Sequence, residues 1–296
     1  MPLISISDLP GLPADYRAGG HQDLPPAPRH VNLDPPKPVV GPQTYGQYVE
    51  RLQAVCLAKN LPLDYVGTVW SGPYHRTSHP IYRVTIRRPS ANQSPLAAVG
   101  CLHGDERGAA LGVLDFLENC YPAESRGAVC PLYPVANPWG YDHQKRENGW
   151  GLDVNRTFGP GEPSSEEAQV LLADLAKFTV PFLYTMHEDA TRTGFYTYYS
   201  DSGRRWLAER MVECATGHKL PVNSSDVDYG GQVRIERGLA PYNRGLYPAP
   251  AGGTPLEDLY LDRNVPHFCS ETPMQADLWA RAKCNADLLK LVWTFA

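Results

Sequence analysis

Short apolar runs alternate with helical patterns over most of this chain, and that alternation constrains the fold more than any other feature. Residues 96–102 (LAAVGCL), 129–135 and 182–186 have the length and composition of buried strands. Residues 108–118 have a helical pattern between the first two runs, and a capping box at residues 164–167 opens a helix before the third. Strands that alternate with helices predict an α/β sandwich with a largely buried sheet.

The same pattern continues from Thr44 to the end of the chain without an internal repeat or a second linker. Thr44 can cap a helix, residues 81–86 (IYRVTI) alternate as a strand, and residues 273–293 form a closing amphipathic helix. Residues 1–43 are crowded with proline, which lacks the N–H that helices and central strands need. We therefore predict a proline-rich N-terminal arm over residues 1–43 and one folded domain over residues 44–296.

Charge and cysteine usage exclude several classes of protein. A net charge of −5 and a pI near 6.0 argue against nucleic acid as a partner. No apolar run approaches the length of a membrane span, and the N-terminus lacks the basic start and apolar middle of a signal peptide. The seven cysteines are scattered without a CxxC pair, which argues against a disulfide framework or a Cys-type zinc site. The sequence thus predicts a cytoplasmic protein without nucleic acid or membrane partners.

Two motifs contain residues that could bind a metal ion. His103 and Glu106 belong to an HGDE motif directly after the run that ends at Leu102, where α/β folds place functional groups. His187 follows the apolar segment FLYTM and precedes two carboxylates. Imidazole nitrogens and carboxylate oxygens are good zinc ligands, although each motif taken singly also fits a structural role.

Three further residues suggest anion binding and one suggests acid–base chemistry. Arg146 follows NPWGY, and Asn155 and Arg156 lie within DVNRTF. A planar guanidinium matches a carboxylate with two parallel hydrogen bonds, although these arginines could equally be solvated loop residues. Glu271 lies between the segment VPHFCS and the last helix, where the helix dipole alone would also favour a glutamate.

Taken together and in this order, the motifs resemble those of the M14 family of zinc carboxypeptidases. The family carries HxxE, NPDGY, an arginine, DxNRxF, a lone histidine after a strand, and a glutamate before the final helix. This chain shows HGDE, NPWGY, Arg146, DVNRTF, TMHE and SETP. The resemblance covers residues 44–295 and is nearest to the peptidoglycan-peptide amidases and the succinylglutamate desuccinylase/aspartoacylase branch. Trp139 and Thr157 depart from the family pattern at positions that are neither ligand nor base.

The resemblance implies a three-layer α/β sandwich whose mixed, mostly parallel central sheet has about eight strands. It also implies one Zn²⁺ ion per chain, bound by His103, Glu106 and His187, with water at the open fourth position. Glu271 would then be the general base, and Arg146 would stabilise the oxyanion.

Substrate binding is also implied by the resemblance. Asn155 and Arg156 would bind a substrate carboxylate, and Tyr247 would correspond to the family's mobile tyrosine, although its spacing from the following glycine pair is one residue longer. The implied activity is hydrolysis of an amide or peptide bond beside a free carboxylate, with a small peptide as substrate.

Three alternatives remain open. A small-molecule N-acyl amino-acid deacylase would use the same zinc ion and base. A non-catalytic binding protein on the same fold would not need to keep a base, so the intact residue set argues against it. A transition-metal storage or sensor protein would show dense cysteine or histidine clusters, which this sequence lacks. The sequence also leaves open whether the chain forms a homo-oligomer.

Overall fold

The computed structural model describes residues 44–72, 77–122, 125–159, 165–200, 202–228, 233–242 and 253–296. The predicted N-terminal arm and Tyr247 lie outside these residues. Within the described ranges, no helix is both long enough and apolar enough to cross a membrane.

Ten strands of the described chain form one sheet. In chain order they are β1 (Leu63–Ser71), β2 (Thr77–Arg87), β3 (Ala97–Gly100), β4 (Val129–Tyr133), β5 (Leu183–Asp189), β6 (Tyr196–Tyr199), β7 (Ser225–Asp228), β8 (Val233–Glu236), β9 (Leu239–Pro241) and β10 (His267–Pro273). Across the sheet they lie in the order β1-β2-β4-β3-β5-β10-β6-β9-β8-β7.

The mixed sheet was predicted correctly, but its mostly parallel character and its count of about eight strands were wrong. Only the centre, β4-β3-β5-β10, is continuously parallel. On one side β1 and β2 form an antiparallel pair that continues antiparallel onto β4. On the other side β6 is antiparallel to β10, and β7, β8 and β9 form an antiparallel set. Short connections can join only antiparallel neighbours, whereas parallel neighbours need crossovers, which accounts for the antiparallel pairs β1–β2, β7–β8 and β8–β9.

Helices cover both faces of the sheet, as the alternation of elements predicted. They are α1 (Tyr45–Ala58), α2 (Arg107–Asp115), α3 (Pro138–His143), α4 (Glu166–Leu175), α5 (Arg205–Gly217), α6 (Leu256–Asp262) and α7 (Leu278–Phe295). Successive residues of β3 point into different cores. Ala98 packs with residues of α1, α2, α5 and α7, whereas Ala97 and Val99 pack with residues of α4 and α6. The architecture is therefore a helix–sheet–helix sandwich.

The helix starts follow local sequence signals. Thr44 and Gln47 form a capping box at the start of α1, and the Ser165 side chain caps α4. The last helix begins five residues later than predicted, at Leu278, because β10 extends through Pro273 and Asp277 then caps the new helix through its side chain. This longer β10 places Glu271 inside a strand and not at a strand–helix junction.

The predicted functional residues gather at the carboxyl ends of the central parallel strands. The HGDE motif follows β3, and the NPWGY motif follows β4. His187 and Glu271 lie in the last residues of the neighbouring strands β5 and β10. In open α/β sheets this edge is where ligands bind, since the loops that leave parallel strands converge there.

Candidate metal centre and active site

Two glycines bring the first two motifs into contact. A Cβ atom on Gly104 would lie 1.9 Å from the carbonyl carbon of Gly140, so no other residue fits at position 104 without moving the backbone. Just before this contact, Cys101 takes a left-handed backbone angle with φ of 52°. The chain therefore turns sharply after β3, and the HGDE loop lies against the first turn of α3.

Three buried side chains of the predicted metal site converge. His103, Glu106 and His187 each expose less than 5% of their surface, and one donor atom from each lies within 4.8 Å of the others. The two Glu106 carboxylate oxygens lie 2.5 Å from His103 Nδ1 and 2.9 Å from His187 Nδ1. The two Nδ1 atoms are 3.2 Å apart. Both imidazoles thus present the same ring nitrogen to one point.

This donor set fits a zinc ion. Two nitrogens bound to one tetrahedral Zn²⁺ at ordinary bond lengths are about 3.3 Å apart, close to the 3.2 Å between the two Nδ1 atoms. Two imidazoles and one carboxylate would leave a fourth position for water, which is the arrangement of catalytic zinc sites.

A carboxylate lies behind each of these histidines. Asp153 Oδ1 lies 3.1 Å from His103 Nε2, and Glu257 Oε1 lies 3.2 Å from His187 Nε2. A carboxylate can only accept at these positions, so each Nε2 would donate to its carboxylate, and with a metal ion bound each Nδ1 would supply the lone pair that the metal needs. Neither carboxylate was among the residues predicted to form the site. Asp153 lies inside the DVNRTF motif and could have been found there, whereas no local pattern marks Glu257.

Asn155 connects these groups to α6. Its Nδ2 donates to Glu257 Oε2 at 3.1 Å and lies 3.4 Å from His187 Nε2. Its Oδ1 accepts the backbone N–H of Leu256 at 2.9 Å. The Asn155 side chain is buried, and both ends of its amide already have partners inside the protein.

The two arginines have different partners. Arg146 donates two hydrogen bonds to Asp153 Oδ2, at 2.9 and 3.0 Å, and its Nη1 is 3.3 Å from His103 Nδ1. Arg156 donates to the backbone carbonyl of Asn155 at 2.8 Å and lines the cavity beside the metal site. Both guanidinium groups are partly exposed.

Strand register places Glu271 beside the metal site. Glu271 of β10 is the direct partner of His187 across the parallel β5–β10 pair. Its side chain is only partly buried and lines the same cavity as His103 and Glu106. The neighbouring Glu188 has a different role, because its carboxylate forms an ion pair with Arg281 at 2.5 Å and accepts the N–H of Gly108.

Burial and neighbouring charges separate the acidities of these carboxyl groups. Burial alone would raise the pKa of Glu106, but His103 and His187 outweigh it and lower the pKa to about 2. Hydrogen bonds likewise outweigh burial at Asp153 and Glu257 and hold the pKa of each well below its usual range. At Glu271, although the side chain keeps some exposure to the cavity, loss of surrounding water prevails, with Glu106 and Asp189 adding to it, so its pKa lies well above that of an ordinary carboxyl. The site thus contains anionic ligands beside one carboxyl group suited to exchange a proton.

His103, Glu106, His187, Glu257 and Glu271 line a cavity of about 490 Å³. That volume falls within the range of small-molecule sites, roughly 300–1,000 Å³. Away from the metal site the cavity is lined by Arg192, Tyr196, Tyr198, Tyr242 and His267, among others. The cavity therefore combines a polar end at the candidate metal centre with an aromatic wall.

Several solved structures share this fold. A protein of Shewanella amazonensis SB2B that has been assigned as a metallopeptidase superposes with a TM-score of 0.68 at 22% identity, over 83% of this chain and 91% of that one. A metallo-carboxypeptidase from Burkholderia cenocepacia gives a TM-score of 0.61 at 14% identity, over 85% and 69% of the two chains. The metallo-carboxypeptidase from Pseudomonas aeruginosa, in complex with (2-guanidinoethylmercapto)succinic acid, gives 0.59 at 16% identity, over 85% and 68%. The chain therefore has the fold of the metallocarboxypeptidases, as the motif order predicted.

Comparison by sequence identifies fewer similar proteins than comparison by structure. No protein-family model matches the chain. Catalase-peroxidase 2 of Burkholderia ambifaria (strain MC40-6) is 27% identical over 231 residues, which cover 71% of this chain and 29% of that protein. The chain thus spans less than a third of that relative's length, and most of the protein that bears the peroxidase name has no counterpart here.

Proposed function

We propose that this chain is a zinc-dependent hydrolase of the metallocarboxypeptidase type that cleaves an amide or peptide bond beside a free carboxylate. The observation that carries the proposal is the convergence of His103, Glu106 and His187 next to Glu271, at the polar end of one cavity. The shared fold supports it, since metallo-carboxypeptidases are among the similar structures.

A bound Zn²⁺ ion would supply a Lewis acid and lower the pKa of a bound water to about 7. Glu271 would accept the proton of the attacking water and then pass it to the leaving nitrogen. Its place directly across from His187, with its side chain in the same cavity as His103 and Glu106, supports this role. Arg146 would donate to the oxyanion that forms on the scissile carbonyl.

Arg156 would bind the carboxylate of the substrate, because its guanidinium is partly exposed in the same cavity. Asn155 would then act mainly by holding Glu257 and His187 in place, since both ends of its amide are already engaged. A carboxylate-bearing ligand is known in the Pseudomonas aeruginosa metallo-carboxypeptidase, which was solved with a succinic acid derivative. The second candidate, an N-acyl amino-acid deacylase, fits the same machinery and is favoured by the modest cavity volume.

The decisive experiment combines metal analysis with a substrate panel. The purified chain, reconstituted with zinc, is assayed against short peptides and N-acyl amino acids, and the better group identifies the substrate class. Glu271→Gln should keep its zinc yet lose at least about 100-fold in kcat, since the amide cannot take a proton from water.

Glu118→Gln is the matched control, because Glu118 pairs with Arg51 and does not line the cavity. It should leave turnover unchanged. Turnover in Glu271→Gln close to that of the wild type would remove Glu271 from the role of base. A chain that binds zinc and hydrolyses neither group of substrates would refute the proposed activity.

A further inference from the structure

A second group of metal-type ligands lies where α5 meets α7. Cys214 lies in the last turn of α5, and His218 follows the end of that helix, with its backbone N–H bonded to the Cys214 carbonyl at 3.1 Å. On α7, Cys284 and Asp287 are three residues apart. Helical residues separated by three or four positions face the same side, so each helix contributes two side chains to the contact.

Three of these side chains meet in space. One donor atom each from Cys214, His218 and Asp287 lies within 4.8 Å of the others, and His218 Nε2 is 2.9 Å from Asp287 Oδ2. Cys284 interacts with Cys214 but lies outside this group of three. Cys284 is fully buried, whereas the three residues of the group are partly exposed, so the group is open to solvent on one side.

The chemistry of these donors points to one class of ion. A simple His218–Asp287 ion pair would not need a thiol beside it. One thiolate, one imidazole and one carboxylate are a combination that suits Zn²⁺ and other borderline cations, whereas Mg²⁺ and Ca²⁺ prefer oxygen ligands. Three protein ligands would leave the fourth zinc position to water.

We propose that Cys214, His218 and Asp287 bind a second zinc ion, one that joins α5 to α7 and takes no part in hydrolysis. None of the three lines the cavity of the candidate active site. The proposal is therefore independent of the proposed function. The sequence argued against a Cys-type zinc site because its cysteines are scattered, but the fold brings Cys214 together with a histidine and with an aspartate of another helix.

Cobalt loading can test this site separately from the first. Metal-free chain is loaded with Co²⁺ in the presence of a thiol-free reductant, so that no disulfide forms. Thiolate ligands give Co²⁺ a strong charge-transfer absorption in the near ultraviolet, and the cluster of His103, Glu106 and His187 contains no thiolate. We expect this absorption and two bound ions per chain in the wild type.

Cys214→Ser should lose the thiolate absorption and one of the two ions, while the other ion remains. Cys120→Ser is the matched control, because Cys120 is a partly exposed cysteine outside the group; it should keep both. His218→Asn provides a second variant that leaves both thiols intact, and it should also bind one ion fewer. Wild-type chain without thiolate absorption, or absorption that persists unchanged in Cys214→Ser, would overturn the proposal.

Discussion

Glu257 offers the sharpest test of how the candidate metal centre is organised. Its Oε1 accepts from Thr185 at 2.5 Å and lies 3.2 Å from His187 Nε2, while its Oε2 accepts from Asn155 at 3.1 Å. Glu257→Gln keeps the shape of the side chain but replaces one acceptor oxygen with a donor. In either orientation of the amide, at least one of these three contacts sets a donor against a donor.

The expected loss follows from the contact with His187. Carboxylates that hold a metal-binding histidine in place typically contribute 10–100-fold in metal affinity. That range corresponds to about 1.4–2.7 kcal/mol of binding free energy. Because Glu257 is only 6% exposed and its negative charge faces His187 directly, we expect a loss of at least about tenfold.

The assay is a competition for zinc between the protein and a chromophoric chelator, run on metal-free wild type and variant. Glu118→Gln again serves as the matched control, since it removes a carboxylate from an ion pair that lies outside the cavity. Urea unfolding of both metal-free variants shows whether either change alters the fold itself. Zinc affinity in Glu257→Gln within about twofold of the wild type would refute the view that Glu257 orients His187.

Two further predictions concern the substrate and the pH dependence of stability. Arg156→Ala should lower kcat/KM at least about tenfold, equivalent to about 1.4 kcal/mol, for a substrate with a free carboxylate. The same substrate with its carboxylate amidated should show little loss on this change. Equal losses on both substrates would indicate that Arg156 has a structural role instead. Glu167 is 1% exposed, and burial raises its pKa to about 7 from its ordinary 4.5. The protonated form therefore stabilises the folded state, and this contribution is complete below about pH 4.5 and is lost as the pH rises through about 7. Between pH 5 and pH 8 the wild type should lose free energy of unfolding on the order of 3 kcal/mol, and Glu167→Gln should not show this loss. Urea unfolding across this pH range measures both. Unfolding free energies that fall in parallel for the two proteins would contradict the prediction.

The parts of the fold that the sequence predicted well depend on local signals. The cap at Thr44 needs only neighbouring residues, and Thr44 opens α1 as expected, with Gln47 completing a capping box. The HGDE and NPWGY motifs contain the glycines that let their two loops touch. His103, Glu106 and His187 were likewise predicted together, because their order along the chain follows the order of the motifs.

The sheet edges could not be predicted in the same way. Local alternation identifies a strand but not its neighbour, since pairing direction depends on where the chain returns. Thus β6 pairs antiparallel with β10 although about seventy positions separate Tyr199 from Phe268, its partner in that register. The same limit applies to Cys214 and Asp287, whose proximity follows from the packing of two helices and leaves no trace in either local sequence.

Asp153 and Glu257 show this limit at the active site, and they also show why Glu257 is the better residue to test. The two carboxylates occupy equivalent places, each behind the Nε2 atom of one histidine. Asp153, however, also accepts two hydrogen bonds from Arg146, so its removal would disturb the metal ligand and the predicted oxyanion donor at once. The other partners of Glu257 are Thr185 and Asn155, neither of which we expect to touch the reacting atoms. A loss of zinc affinity in Glu257→Gln can therefore be attributed to the orientation of His187, whereas the same loss on changing Asp153 would have two causes.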